Sequence, residues 1–300
     1  MSAFMRRIQS GDILVADGAT GTNLQEVGLE AGAHTEDWVI DHPDRLLALE
    51  RAFVDAGADI ILTCTFGGTA IRMRNSQYGD MVAEINHRAA SLAREAAASG
   101  RGVLVGGSMG PVGQLLKPYG PIAYEEALGA YAEQARALAA GGVDLLVIET
   151  QFSLDEAKAA LEGARTVTDL PAVVSFSYDR GTRTIMGVKP EVAAATFDGL
   201  GASMIGVNCG TTLENALAVA TKYAAASPNL PIWVKPNAGL PRMDGTKAVY
   251  DVTPNQMAEF GRAGVRAGAR VLGGCCGSTP VHVRAIADAV NALRGEAASG

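Results

Sequence analysis

The 300-residue sequence predicts an α/β architecture, a single (β/α)8 TIM barrel spanning residues 1–300, on three observations. Short apolar β-rich runs recur eight times, a longer alanine-rich segment with helical spacing follows each, and the chemically suggestive residues sit at the C-terminal ends of the runs. Strands alternating with helices imply parallel pairing, because each crossover returns the chain to the same end of the sheet. Eight repeats fit a closed barrel. An open doubly wound sheet is expected to carry G-x-G-x-x-G after its first strand, whereas this first run ends in D-G-A-T-G-T.

The first four runs are I-L-V-A-D (13–17), D-I-I-L-T-C-T-F (59–66), V-L-V-G-G-S (103–108) and D-L-L-V-I-E-T (144–150). The second four are A-V-V-S-F-S-Y (172–178), S-M-I-G-V-N-C (203–209), P-I-W-V-K-P-N (231–237) and R-V-L-G-G-C-C (270–276). Apolar periodicity places helices over 44–56, 82–98, 124–140, 155–165, 190–200, 213–226, 253–267 and 281–293. No linker or low-complexity segment interrupts the series, and only the terminal G-E-A-A-S-G reads as disordered.

Composition narrows the function. A hydrophobic content of 48% supports a large core, and a net charge of -7 disfavours non-specific nucleic-acid binding. Arg72 and Arg74 form a local basic pair, read as a solvated face rather than a phosphate contact. The N-terminus lacks the apolar core of a signal peptide, and no run is apolar enough to span a membrane. Four cysteines are too few for a disulfide scaffold, so a reducing, cytoplasmic compartment is expected.

Barrel enzymes build their sites from the loops after the strands. Asp17, Ser108, Glu149, Asn208, Cys209, Asn237, Cys275 and Cys276 all occupy that position, which implies one shared pocket. Adjacent residues on a regular strand face opposite ways, so Cys275 and Cys276 can share a metal only where the chain bends. Gly273, Gly274 and Gly277 permit the bend. With Cys209 they offer three thiolates, the ligand count of a catalytic zinc that keeps an open position. Cys64, inside the second run, reads as packing, and a vicinal Cys275–Cys276 disulfide would leave Cys209 unexplained. Metal coordination ionises a thiol at neutral pH, so the set suits alkyl transfer to sulfur better than hydrolysis.

The motifs D-G-A-T-G-T, G-G-S-M-G-P, E-T, G-V-N-C-G, P-N-A-G-L-P and G-G-C-C-G together resemble the homocysteine S-methyltransferase family over nearly the whole chain. That resemblance implies a zinc-dependent barrel with one Zn2+ per chain on Cys209, Cys275 and Cys276. The homocysteine sulfur would be the fourth ligand and would attack a methyl group to make methionine. It implies Asp17 and Glu149 near the substrate ammonium, backbone N–H groups from Gly18 onward at its carboxylate, and Ser108, Asn208 and Asn237 around them. T-C-T-F-G-G-T, G-S-M-G-P-V-G-Q-L-L and K-P-N-A-G-L-P look most like the homocysteine-binding module of cobalamin-dependent methionine synthases. The methyl donor is then methylcobalamin on a corrinoid-binding partner, as in a split methionine synthase, and the chain is expected to be monomeric. A stand-alone enzyme using betaine or S-methylmethionine is the alternative, with Trp38, Trp233, Tyr78 and Tyr119 as a conceivable cation box. Thr150, where the betaine enzymes carry an aromatic residue after the glutamate, speaks against betaine. A zinc- and homocysteine-binding barrel without catalysis is the reading from another class.

Overall fold

The computed structural model describes residues 1–244 and 247–299. In chain order the helices are α1 (Ala3–Gln9), α2 (Gly21–Glu26), α3 (Trp38–Asp41), α4 (Pro43–Asp55), α5 (Val82–Ala97) and α6 (Tyr124–Ala140). They continue as α7 (Leu154–Arg165), α8 (Pro190–Gly199), α9 (Leu213–Ala226), α10 (Pro254–Arg266) and α11 (Pro280–Ser299). The strands are β1 (Leu14–Val15), β2 (Ile60–Leu62), β3 (Leu104–Met109), β4 (Leu145–Gln151) and β5 (Ala172–Phe176). β6 (Met204–Cys209), β7 (Ile232–Pro236), β8 (Arg242–Asp244), β9 (Lys247–Val249) and β10 (Ala269–Leu272) complete the set. Eight of these strands form one parallel sheet in the order β1-β10-β7-β6-β5-β4-β3-β2, and a parallel bridge between Ala16 and Ile60 brings its two edges together. The result is the (β/α)8 barrel expected.

Period-two alternation sorts the strand residues into an inner and an outer set. Along β4, Leu145 and Val147 point into the barrel with Leu14, Ile60, Leu104, Val173, Met204, Trp233 and Val271. Leu146 and Ile148 point outward against the helices, whose alanines let them lie close on the sheet. The same alternation carries Glu149 inward, at the C-terminal end of its strand, where it is buried.

Several features depart from the sequence reading. A helix precedes the first strand: α1 inserts Phe4 and Ile8 into the inner cluster and closes the N-terminal end of the barrel. An antiparallel pair, β8–β9, extends the loop between β7 and α10. The last strand also stops earlier than expected, at Leu272, so Cys275 and Cys276 lie in the loop beyond it. The terminal segment expected to be disordered instead continues α11 to Ser299, and only its last residue, Gly300, lies outside the described residues. Among the described residues, no helix is long and apolar enough to cross a membrane.

Candidate active site

The loops after β1, β7 and β10 are joined by main-chain hydrogen bonds, and a side chain ties in the loop after β6. Gly274 N–H donates to Asp17 O (3.0 Å), Cys275 N–H to Pro236 O (2.7 Å), Ala238 N–H to Cys276 O (2.9 Å) and Ala19 N–H to Ser278 O (3.0 Å). The Asn237 side chain joins the same set by donating to Gly210 O (3.1 Å). Gly277 takes φ +78°, and the ring of Tyr250 lies where any Cβ would stand, so only glycine permits this turn.

These loops surround a cavity of about 300 Å3, lined among others by Gly18, Thr20, Cys64, Phe66, Ser108, Glu149, Thr150, Lys235 and the three clustered cysteines. The sulfurs of Cys209, Cys275 and Cys276 lie within 4.8 Å of one another, Cys209 Sγ standing 3.0 Å from Cys275 Sγ and 4.0 Å from Cys276 Sγ. Tetrahedral zinc at its usual Zn–S distance separates sulfurs by about 3.8 Å, which the 4.0 Å pair matches and the 3.0 Å pair reaches by opening under an Å. The electrostatics agree. Hydrogen bonds to Cys275 and Cys276, with burial, push the Cys209 thiol well above its ordinary value, while bonds from Cys209 and Cys275 pull Cys276 down to about 3. One sulfur readily carries charge here, and a divalent cation is what would let all three do so.

The backbone that presents this cluster is strained. Among the described residues only Thr150 (φ 60°) and Cys209 (φ 56°) are non-glycine residues at positive φ. Asn208, fully buried between them, is the clamp. Its Oδ1 accepts from Thr150 N–H (2.8 Å) and Ser175 Oγ (2.6 Å), and its Nδ2 donates to Thr150 Oγ1 (2.7 Å).

Ser108 Oγ donates to Glu149 Oε1 at 2.5 Å inside the cavity. Burial pushes the Glu149 carboxyl up to about 7, and the nearby Lys235 ammonium opposes the shift. Asp17, expected near the substrate ammonium, has both carboxylate oxygens engaged by the protein itself. Its Oδ1 accepts from Lys235 Nζ (2.5 Å), its Oδ2 from Leu62 N–H (2.7 Å), and it lies behind the cavity wall. Lys235, missed at the sequence level, faces the cavity. Burial lowers its pKa, but the carboxylates of Asp17 and Glu149 outweigh that and raise it, so it stays charged. The signal was present: a lysine at an inward position of an apolar run, two residues after Trp233. Gly18 lines the cavity, and among the described residues neither its N–H nor that of Thr20 meets an acceptor. Asn237 and Asn208 lie outside the lining.

The remaining candidates separate. Trp233 fills the barrel interior, Trp38 packs in a different cluster beside α4, Tyr78 donates to Asp41, and Tyr119 is 75% exposed, so no cation box forms. Among the described residues Phe66 is the one aromatic side chain lining the cavity. Cys64 is buried in a hydrophobic cluster and donates to Thr35 O (3.4 Å), although its residue also borders the cavity. Arg74 pairs with Glu126 at the surface, and Arg72 lies over the Phe66 ring.

The sequence profile of the family described as Homocysteine S-methyltransferase matches residues 14–290. Methionine synthases of Mycobacterium leprae and Mycobacterium tuberculosis are 33% and 31% identical over 93% and 94% of the chain. The chain spans only about a quarter of their length, 24% and 25%. The metallated form of the Escherichia coli homocysteine methyltransferase MmuM superposes with a TM-score of 0.80 at 24% identity, covering 94% of this chain and 98% of that one, which bears on fold alone.

Proposed function

We propose, on the premise that the chain belongs to the homocysteine S-methyltransferase family, that residues 1–300 form one homocysteine-binding barrel domain that transfers a methyl group to the homocysteine sulfur, giving methionine. The observation that carries this reading is the meeting of three thiols with a buried Ser108–Glu149 pair in one cavity. Cys209, Cys275 and Cys276 would hold one Zn2+. When bound, zinc keeps a substrate thiol ionised at neutral pH.

The chain's own residues do the positioning. Glu149, steered by Ser108, takes the substrate ammonium in a charge-assisted hydrogen bond. The free N–H groups of Gly18 and Thr20 face the same cavity and suit the carboxylate. Asn208 fixes Thr150 and thereby the wall between Glu149 and Cys209. The reaction forms the S–CH3 bond and breaks the bond between methyl and its donor.

The donor we favour is methylcobalamin presented by a corrinoid-binding protein or domain. The likeness of T-C-T-F-G-G-T and K-P-N-A-G-L-P to the homocysteine-binding module of cobalamin-dependent methionine synthases supports this, as does the dispersal of the aromatic residues that a quaternary ammonium or sulfonium donor would need. Assaying methionine formation by the zinc-loaded chain with methylcobalamin, betaine and S-methylmethionine in turn tests the reading. Turnover with methylcobalamin alone is expected. Turnover with betaine or S-methylmethionine overturns the donor assignment, and homocysteine binding without turnover under any donor points to a non-catalytic barrel.

A further inference from the structure

Among the described residues Lys235 is the one cation lining the substrate cavity, and its side chain is 2% exposed. Around it stand the carboxylates of Asp17 and Glu149 and the thiol of Cys275. We infer that Lys235 is a specificity-determining residue, whose fixed positive charge lets the cavity accept a zwitterionic amino-acid thiol in preference to a simple aminothiol. The inference rests on the proposed reading of homocysteine as methyl acceptor.

The charges decide it. Lys235 and Asp17, 2.5 Å apart, form an internally neutral pair whose second Asp17 oxygen is occupied by Leu62 N–H. Glu149 is left as the free negative charge that matches one ammonium. A substrate carboxylate entering beside that ammonium would, without Lys235, face Asp17, Glu149 and the sulfurs with only backbone N–H groups in its favour. An ammonium has three N–H donors. Asp17 takes one, and among the described residues no other acceptor engages Lys235. The lysine is also held in place, with Nζ 5.9 Å from the Trp233 ring centre and Pro236 fixing the backbone just after it. Removing this charge weakens binding of a carboxylate-bearing thiol by roughly tenfold or more, and leaves a thiol without a carboxylate far less affected.

Calorimetric titration of the zinc-loaded protein with homocysteine and with 3-aminopropane-1-thiol, the same molecule without its carboxylate, tests this. The native protein should prefer homocysteine, Lys235→Met should lose roughly tenfold of that preference, and Asp17→Asn with Lys235→Met, which keeps the cavity's net charge, should restore most of it. Should Lys235→Met not fold, Asp17→Asn alone is read instead. It unmasks the lysine and should strengthen the preference for homocysteine. Equal losses for both thiols in Lys235→Met, or an unchanged preference in Asp17→Asn, overturn the inference alone. Failure of the native protein to bind homocysteine overturns the acceptor reading and the inference with it.

Discussion

The two ends of the barrel interior are built by the same strands in the same alternation, yet they are chemical opposites. At the N-terminal end Leu104, Leu145, Val173, Met204 and Trp233 meet Phe4 and Ile8 of α1 in a layer without a charge. Two or four residues further along those strands the inward positions are Ser108, Glu149, Ser175, Asn208 and Lys235. Backbone strain follows the same division, since Thr150 and Cys209 both lie at the polar end. Buried charge and strained backbone persist only where surrounding structure holds them. The comparison teaches a division of labour: the apolar end closes and stabilises the barrel, and the other end can then carry groups that oppose stability.

The largest expected effect breaks the polar end alone. Cys276→Ala removes one of three sulfurs, so zinc and methyl transfer should be lost together while the fold survives, because a metal site needs its full ligand set. Metal analysis, turnover and circular dichroism on one preparation check this. Stoichiometric zinc with normal turnover would remove Cys276 from the ligand set. The converse substitution, Phe4→Ala, strikes the apolar end. Truncating that fully buried ring should lower stability by about 3–5 kcal/mol. Below the melting transition, zinc content and the KM for homocysteine should be unchanged. A large rise in KM would show that the two ends are coupled.

Glu149 sharpens the comparison through pH. Burial raises its carboxyl from an ordinary 4.5 to about 7, so in the free protein it is protonated below neutrality and offers an ammonium no charge to pair with. Capture of homocysteine, read as kcat/KM, should therefore fall as pH drops through about 7. Glu149→Gln should lower kcat/KM by roughly ten- to a hundredfold at pH 8 and abolish this acid limb. Stability runs in the opposite sense. A raised folded pKa contributes stability that is full below the unfolded value of 4.5 and is lost as pH rises through about 7, so the glutamine variant should be the less pH-sensitive protein.

The sequence displayed the barrel with little ambiguity because alternation is a local signal. Tyr124–Ala140 and Leu213–Ala226 form helices at the residues their periodicity indicates. It displayed the cysteines because adjacency at a strand end is rare without a purpose. Pairing between distant side chains is not local. Nothing near Asp17 announces that Lys235, 218 positions away, occupies one of its oxygens. Likewise α1 is too short for its periodicity to stand out, and only the barrel's open end explains why Phe4 and Ile8 are apolar. The aromatic residues failed as a group for the same reason: Trp38, Trp233 and Tyr78 have partners elsewhere, and Tyr119 stands exposed.

The smallest expected effect tests whether the polar end is held by its inner hydrogen bonds or only by the cavity wall. Ser175 has no place in the cavity lining, and its hydroxyl donates to Asn208 Oδ1 at 2.6 Å. Ser175→Ala leaves Asn208 its bonds to Thr150 N–H and Oγ1, so the clamp loosens without opening. A loss of about 1 kcal/mol in stability is expected for one such bond. If the clamp sets the wall between Glu149 and Cys209, kcat/KM for homocysteine should fall severalfold while zinc content is kept. An unchanged kcat/KM with the same stability loss would show that the strain at Thr150 and Cys209 is fixed by the loops after β4 and β6 themselves, and that Asn208 only fills the space between them.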